Sequence, residues 1–171
     1  ESTTLDKGVV RFQQLKERVL LVTGMSGAGR TASLKVLEDL GYEAVDNLPL
    51  SFLGRLIDQP EPENLLGKGR PLAIGVDLRT RGFSVETVID ELERWKAKHV
   101  AEVLSIFVDC EDMVLGRRFT ETRRRHPLAS DRPLLDSIEL ERRLLSRLRD
   151  RADLVLDTTE RSLPELKVVL A

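Results

Sequence analysis

Val19 to Thr31 reads VLLVTGMSGAGRT, an apolar run that breaks into a glycine-rich turn and continues as an amphipathic pattern. The turn, Gly24 to Thr31, has the spacing G-x-x-x-x-G-K-[ST] of a phosphate-binding loop, with Arg30 at the place of the lysine. Gly24, Gly27 and Gly29 permit backbone conformations that a side chain forbids, so successive N–H groups of Gly24, Met25, Ser26, Gly27, Ala28 and Gly29 can converge on an anion. Leu34, Leu37 and Leu40 recur at helical spacing and Gly41 supplies a stop, so the loop opens onto the positive end of a helix dipole. Thr31 is the expected magnesium ligand beside the β-phosphate. Arg30 keeps the charge of lysine but replaces a compact ammonium with a planar fork that prefers two oxygens. The expectation is a residue that holds a triphosphate or polyphosphate and stabilises the transferring phosphate poorly. The opposing reading is a turn whose arginine pairs with a nearby carboxylate and binds nothing.

Five short apolar runs alternate with helical patterns: Val19 to Thr23, Glu43 to Val45, Leu72 to Leu78, Val103 to Val108 and Asp153 to Leu156. That alternation predicts an α/β domain with a mostly parallel five-stranded sheet flanked by helices. Four runs end at or near an acid, Asp46, Asp77, Asp109 and Asp157, and the carboxyl ends of parallel strands line the ligand crevice. Asp77, after the apolar LAIGV, suits a residue that holds magnesium through water; its plain alternative is a strand-end cap. Asp46 opens DNLP, which reads equally as a helix cap before Ser51.

Ser84 is an expected N-cap for a helix whose stripe is Val85, Val88, Leu92 and Trp95. Asp136 with Glu139, and Ser162 with Glu165, have capping-box spacing, and Leu140, Leu144 and Leu148 give the intended buried face of a helix between Ile138 and Arg149. QPEPENLLGKGRP, from Gln59 to Pro71, reads as a surface loop.

The 171 residues suit one domain, with Glu1 to Glu17 read as a flexible or helical lead-in and residues 18–171 as the folded unit. With 27 basic and 29 acidic residues the global charge predicts no polyanion partner, so only local patches argue for nucleic acid. Cys110 is the single cysteine; it excludes an internal disulfide, reads as a buried structural thiol and fits a reducing compartment. No apolar run spans a bilayer and ESTTLDKG lacks a signal-peptide core, so a cytoplasmic location without membrane contact is expected. The absence of an initial methionine and the end just after ELKVVLA read as a piece of a longer protein.

One basic cluster stands out: Arg117, Arg118, Arg123, Arg124, Arg125 and His126. It reads as a mobile lid whose arginines close on phosphates, as an RNA-backbone contact, or as a solvated helical face. His126 precedes Pro127 and is expected in a turn, hydrogen-bonded rather than acting as a catalytic base. No Ser/His/Asp spacing or His/Cys metal cluster is present and no general base stands out, which favours slow hydrolysis or none.

VTGMSGAGRT, LEDLGYEAVDNLPL, GVDLRT, RRFTETRRRHPL and ADLVLDTTERSLPEL, in this order, resemble the N-terminal domain of the RapZ family of RNase adapters, which includes nucleotide-binding proteins of the YvcJ type. The resemblance implies a P-loop kinase-like fold and weak hydrolysis of ATP and GTP. It assigns ATP to Gly24, Met25, Ser26, Gly27, Ala28, Gly29, Arg30 and Thr31. It assigns GTP to a D-x-R-N stretch that falls on Asp77, Leu78, Arg79 and Thr80, with Thr80 in place of the asparagine. It further implies a second domain beyond Ala171, contacts with small RNA and a ribonuclease, and a homo-oligomer, all belonging to the full-length protein. Two other classes stay open: a small-metabolite kinase, and an RNA- or protein-binding module with a relic loop.

Overall fold

The computed structural model describes residues 18–58, 71–98 and 102–160. Five strands form one sheet: β1 (Arg18–Gly24), β2 (Glu43–Asp46), β3 (Leu72–Gly75), β4 (Glu102–Asp109) and β5 (Leu154–Asp157). Their order is β2-β3-β1-β4-β5 and every pairing is parallel. The β-branched and leucine-rich central strands are covered on both faces, as parallel sheets require: Leu21, Val22, Ala73, Ile74, Phe107 and Val108 are all at most 1% exposed.

Six helices complete the described chain: α1 (Arg30–Asp39), α2 (Leu50–Asp58), α3 (Val85–Lys98), α4 (Asp112–Thr122), α5 (Leu134–Leu144) and α6 (Ser146–Asp150). Strand–helix–strand crossovers are right-handed. The crossover through α1 runs outward from β1 to β2, whereas those after β3 and β4 run the other way, so α1 and α3 lie on opposite faces. That reversal makes the carboxyl end of β1 the switch point at which such sheets carry their crevice.

Most elements follow the sequence pattern. Helix α1 buries Leu34 and Leu37 and stops at Gly41, whose φ of 100° only glycine adopts readily. Ser84 caps α3 by accepting the Thr87 N–H at 3.0 Å, and Val88, Leu92 and Trp95 are buried together with Ile89. Cys110 is buried and free.

Two readings change. The run Leu72 to Leu78 is a strand only to Gly75, because the chain then turns, with Thr80 N–H bonding the Asp77 carbonyl at 3.0 Å. The helix expected from an Asp136 cap starts instead at Leu134, behind Pro133, and no side chain caps it. Its inward residues are Ser137, Ile138 and Glu141, with Leu145 just beyond it and Leu148 of α6 also buried, while Leu140 is half-buried and Leu144 is 48% exposed. Of the expected leucine face Leu148 is buried, but Leu144 is turned out and Glu141 points inward, where it accepts the donors of Ser26 in the glycine-rich loop. The Ser162 cap, the lead-in and all but the last residue of the Gln59 to Pro71 loop lie outside the described residues. No helix among the described residues is long and apolar enough to cross a membrane.

Gly24 joins sheet to loop where no side chain fits: its φ is 152° and a Cβ would lie 2.2 Å from the Val108 carbonyl oxygen. Gly24→Ala is therefore expected to destabilise the domain by about 3 kcal/mol or more, from strain and overpacking together. Urea unfolding should show a lower midpoint with an unchanged slope.

Candidate phosphate-binding site

Beyond β1 the chain curls through Gly27 (φ 83°) and Gly29 (φ 109°) into α1. Met25 N–H bonds the Val108 carbonyl at 3.0 Å and Ala28 N–H the Met25 carbonyl at 3.0 Å. Ser33 then returns both its N–H and its hydroxyl to the Gly29 carbonyl, each at 2.9 Å. Among the described residues, the N–H groups of Gly27, Gly29, Arg30 and Thr31 have no intramolecular acceptor. Together with the start of α1 they form a concave set of donors, the backbone arrangement that binds anions.

Arg30 does not extend into that concavity. Its guanidinium forks between the Asp46 carboxylate at the end of β2 and Asp77, 3.0 Å away, beyond β3. The arginine and Asp77 side chains are 10% and 6% exposed. The sequence alone had left room for this arrangement, in which the loop's cation meets a carboxylate. What it did not reveal is Gly75: a Cβ there would lie 2.5 Å from Asp46 Oδ1 and 2.6 Å from Arg30 Nη1, so the ion cluster crosses over a residue with no side chain. Asp46 is thereby an arginine partner rather than a helix cap.

Asp77 has further partners. It accepts the Arg79 N–H at 2.8 Å and the Arg79 guanidinium at 3.1 Å, while its own N–H donates to the Thr80 hydroxyl at 3.0 Å. The buried Thr80 hydroxyl donates in turn to Asn47 Oδ1 at 3.0 Å, linking GVDLRT to DNLP. Thr80 thus fixes a turn, Leu78 packs against the core, and Arg79 is left 65% exposed.

A cleft of about 710 Å³ lies over the loop. Gly24 to Gly27, Gly29, Arg30 and Thr31 line it together with Ala32, Lys35, Val36 and Asp39 of α1, Asp77, Arg79 and Arg124. The loop and the D-x-R stretch therefore open into one space. Thr31 and Asp77 bring a hydroxyl and a carboxylate to it, hard oxygens of the kind magnesium takes, usually one or two from protein and the rest from phosphate and water. Among the described residues no group of three or more His, Cys, Asp or Glu side chains could hold a metal on its own.

The arginine segment divides. Arg124 lines the cleft. Arg118 reaches behind the loop, donating to the carbonyls of Gly27 and Ala28, both at 3.3 Å, and of Thr158 at 2.8 Å. Arg125 turns to the carbonyls of Ala129 and Ser130, Arg123 ends α4 with φ 52°, and Arg117 is exposed. The remaining strand-end acids stand apart. Asp109 pairs with Arg142 and Arg149 at 2.9 Å each, and Asp157 accepts the Thr159 N–H at 2.9 Å. Burial opposes the charge of Arg142, yet its hydrogen bonds to Asp109 and Asp112 raise its pKa above the ordinary guanidinium value.

Two residues that pattern reading missed or undervalued lie beneath the loop. Glu141, fully buried, accepts the Ser26 N–H at 2.7 Å and the Ser26 hydroxyl at 2.6 Å. His126, also buried, accepts the Leu128 N–H at Nδ1 as a turn histidine does, and its Nε2 lies 3.5 Å from Glu141. A charged residue at a helical position that should face inward was the available signal for Glu141.

A parallel sheet whose first strand feeds a glycine-rich anion cradle and a helix defines a P-loop domain of the kinase-like type. Solved structures share that architecture at low identity. Shikimate kinase from Bacteroides thetaiotaomicron is 15% identical, with 90% of this chain and 96% of that chain covered and a TM-score of 0.58. A gluconokinase from Sinorhizobium meliloti 1021 is 14% identical, with 89% and 88% covered and a TM-score of 0.53. The model of the RapZ-like N-terminal domain matches residues 17–171, and the chain belongs to that family. Relatives named nucleotide-binding proteins include one from Paramagnetospirillum magneticum, 54% identical over 154 residues, and one from Rhodospirillum rubrum, 53% identical over 157. The match takes in 90% of this chain in both cases but 49% and 46% of the relatives, so the chain spans about half their length.

The dependence of the ion cluster on Gly75 is directly measurable. Gly75→Ala is expected to cost about 1–3 kcal/mol in chemical denaturation, since the Asp46, Arg30 and Leu34 side chains must all give way to admit a methyl group. An unchanged midpoint would contradict the close approach described above.

Proposed function

We propose that this chain is a nucleoside-triphosphate-binding domain that hydrolyses its ligand slowly and serves as the regulatory part of a longer, RapZ-like RNase adapter. The observation that carries this reading is the set of unsatisfied loop N–H groups facing a cleft that also holds Thr31, Asp77, Arg79 and Arg124. The family's relatives support it through their names. On this reading residues 18–171 are the nucleotide domain, Glu1 to Glu17 a lead-in, and the remaining length of the relatives a second domain. Contacts with small RNA or a ribonuclease, and assembly into a homo-oligomer, belong to that longer protein.

In this reading the loop amides hold the β-phosphate and Arg79 and Arg124 meet the outer phosphates. Magnesium, when bound, neutralises phosphate charge; Thr31 and Asp77 are the residues that would hold it. Arg30 is the reason for slowness. A triphosphate recruits it only by displacing two carboxylates, and an arginine fork already satisfied by two acids has little to gain from a third anion. ATP and GTP are both accepted, and because Asp77 and Arg79 share one cleft with the loop, they compete.

Calorimetry with ATP and GTP, each with and without magnesium, tests this. Binding of one nucleotide should be abolished by saturation with the other, and Thr31→Ala or Asp77→Asn should weaken magnesium-dependent affinity about tenfold, some 1.4 kcal/mol. Absence of heat from either nucleotide, or simultaneous binding of both, counts against the reading. Rapid phosphate transfer to a hydroxyl acceptor would replace it with a small-metabolite kinase.

The ion cluster yields a second outcome. Asp46→Asn should tighten ATP binding about three- to tenfold by removing a charge and releasing one arm of Arg30, each tenfold being about 1.4 kcal/mol. Arg30→Lys should raise turnover in a phosphate-release assay. Unchanged or lower values in both variants would show that Arg30 does not restrain the site.

A further inference from the structure

The phosphate loop and the arginine segment are joined beneath the cleft by a closed ring of contacts. From the loop, Ser26 gives both of its donors to the buried Glu141 carboxylate, 115 residues away in the chain. From the segment, His126 faces the same carboxylate across 3.5 Å. Its Nδ1 accepts the Leu128 N–H, while its buried Nε2, beside Glu141, makes no hydrogen bond among the described residues. The second arm runs through Phe119 of α4. Its ring packs on His126 with centroids 5.1 Å apart, and its other edge fills the space a Cβ on Gly27 would need, 2.9 Å away.

Phe119, His126 and Glu141 are buried, Ser26 is half-buried and Gly27 is exposed, and the buried three are not explained by anion binding alone. A carboxylate under a phosphate site opposes the ligand's charge, and packing against α4 needs no histidine. Their common effect is geometric. Arg124, which lines the cleft, lies two residues before His126. His126 in turn stands beside Glu141, which holds Ser26.

We propose that Glu141 is a positioning residue for the phosphate loop and that His126 couples it to the arginine segment, so that the loop and Arg124 engage a polyphosphate as one unit. The proposal rests on the nucleotide-binding reading and adds a mechanism to it. Glu141 acts by placing the Ser26 end of the loop, not by touching the ligand. His126 acts by filling the space between Phe119 and Glu141 while its Nδ1 holds the turn that follows the segment.

The test is a double-mutant cycle read by calorimetric titration of ATP in magnesium buffer, with a thermal melt of every variant. Residues acting as a unit show coupled losses, whereas those of independent residues add. Arg124→Ala is expected to weaken ATP binding about tenfold in the otherwise unchanged chain, but less than about threefold in a His126→Phe background, where a ring is kept and both imidazole nitrogens, the acceptor for Leu128 and the one beside Glu141, are lost. Glu141→Gln, which keeps the shape and an acceptor for the Ser26 N–H, should stay within about threefold of wild type, while Glu141→Ala loses at least about tenfold.

Equal losses from Arg124→Ala in both backgrounds, no loss from it in the wild-type chain, or wild-type binding by Glu141→Ala would each overturn the proposal. Those results would leave nucleotide binding itself standing. If Glu141→Ala does not fold, the cycle through His126 decides the matter alone. No ATP binding by the wild-type chain would overturn the nucleotide-binding reading, and this proposal with it.

Discussion

Arg30 is the residue on which both halves of the site lean. It leaves the first turn of α1, crosses Gly75 and joins carboxylates from the ends of two strands. The nearly buried Arg30 and Asp77 attract far more strongly than exposed charges would, but they also bear a desolvation cost that only close pairing offsets, while Asp46 stays exposed. The pairing is complete here, with Arg79 adding a second cation on Asp77. The cluster therefore ties β2, β3 and α1 together at the mouth of the cleft. It also lowers the positive charge that a phosphate would meet, so structural order and ligand attraction draw on the same guanidinium.

The loop itself is held from behind. Arg118 takes two of its carbonyls, Thr158 donates to the Ala28 carbonyl, and Glu141 takes the Ser26 donors. Each brace satisfies a backbone group on the outer side of the curl and leaves the inner N–H groups of Gly27, Gly29, Arg30 and Thr31 free. Such division matters energetically, because a preordered cradle does not have to lose conformational freedom when an anion arrives. The arginine cluster thus serves two purposes, with Arg118 supporting the loop and Arg124 facing the space above it.

The strands, the loop and α1 were legible because each carries its own local code: apolar β-branched runs, glycines where φ is positive, leucines at helical spacing. The Ser84 cap and the buried Cys110 were legible for the same reason. The structure added relations between distant residues. Nothing near Gly75 announces that an arginine from α1 passes over it, and the Asp46 partner is legible as a strand-end acid only. The leucine face assigned to α5 misled because periodicity counts apolar side chains, whereas a carboxylate with two good donors can outcompete a leucine for an interior position. His126 was placed correctly in a turn, but its burial against Glu141 depends on α5, which local sequence cannot supply.

The braces come late in the chain. Ser26 meets a carboxylate 115 residues downstream, and the Ala28 carbonyl meets a hydroxyl 130 residues downstream. During synthesis from the N-terminus, β1 and the curl emerge long before α5 and β5 exist to steady them. The cradle is thus finished only when almost the whole domain has left the ribosome, and a nascent chain holds no mature anion site while its sheet is still incomplete.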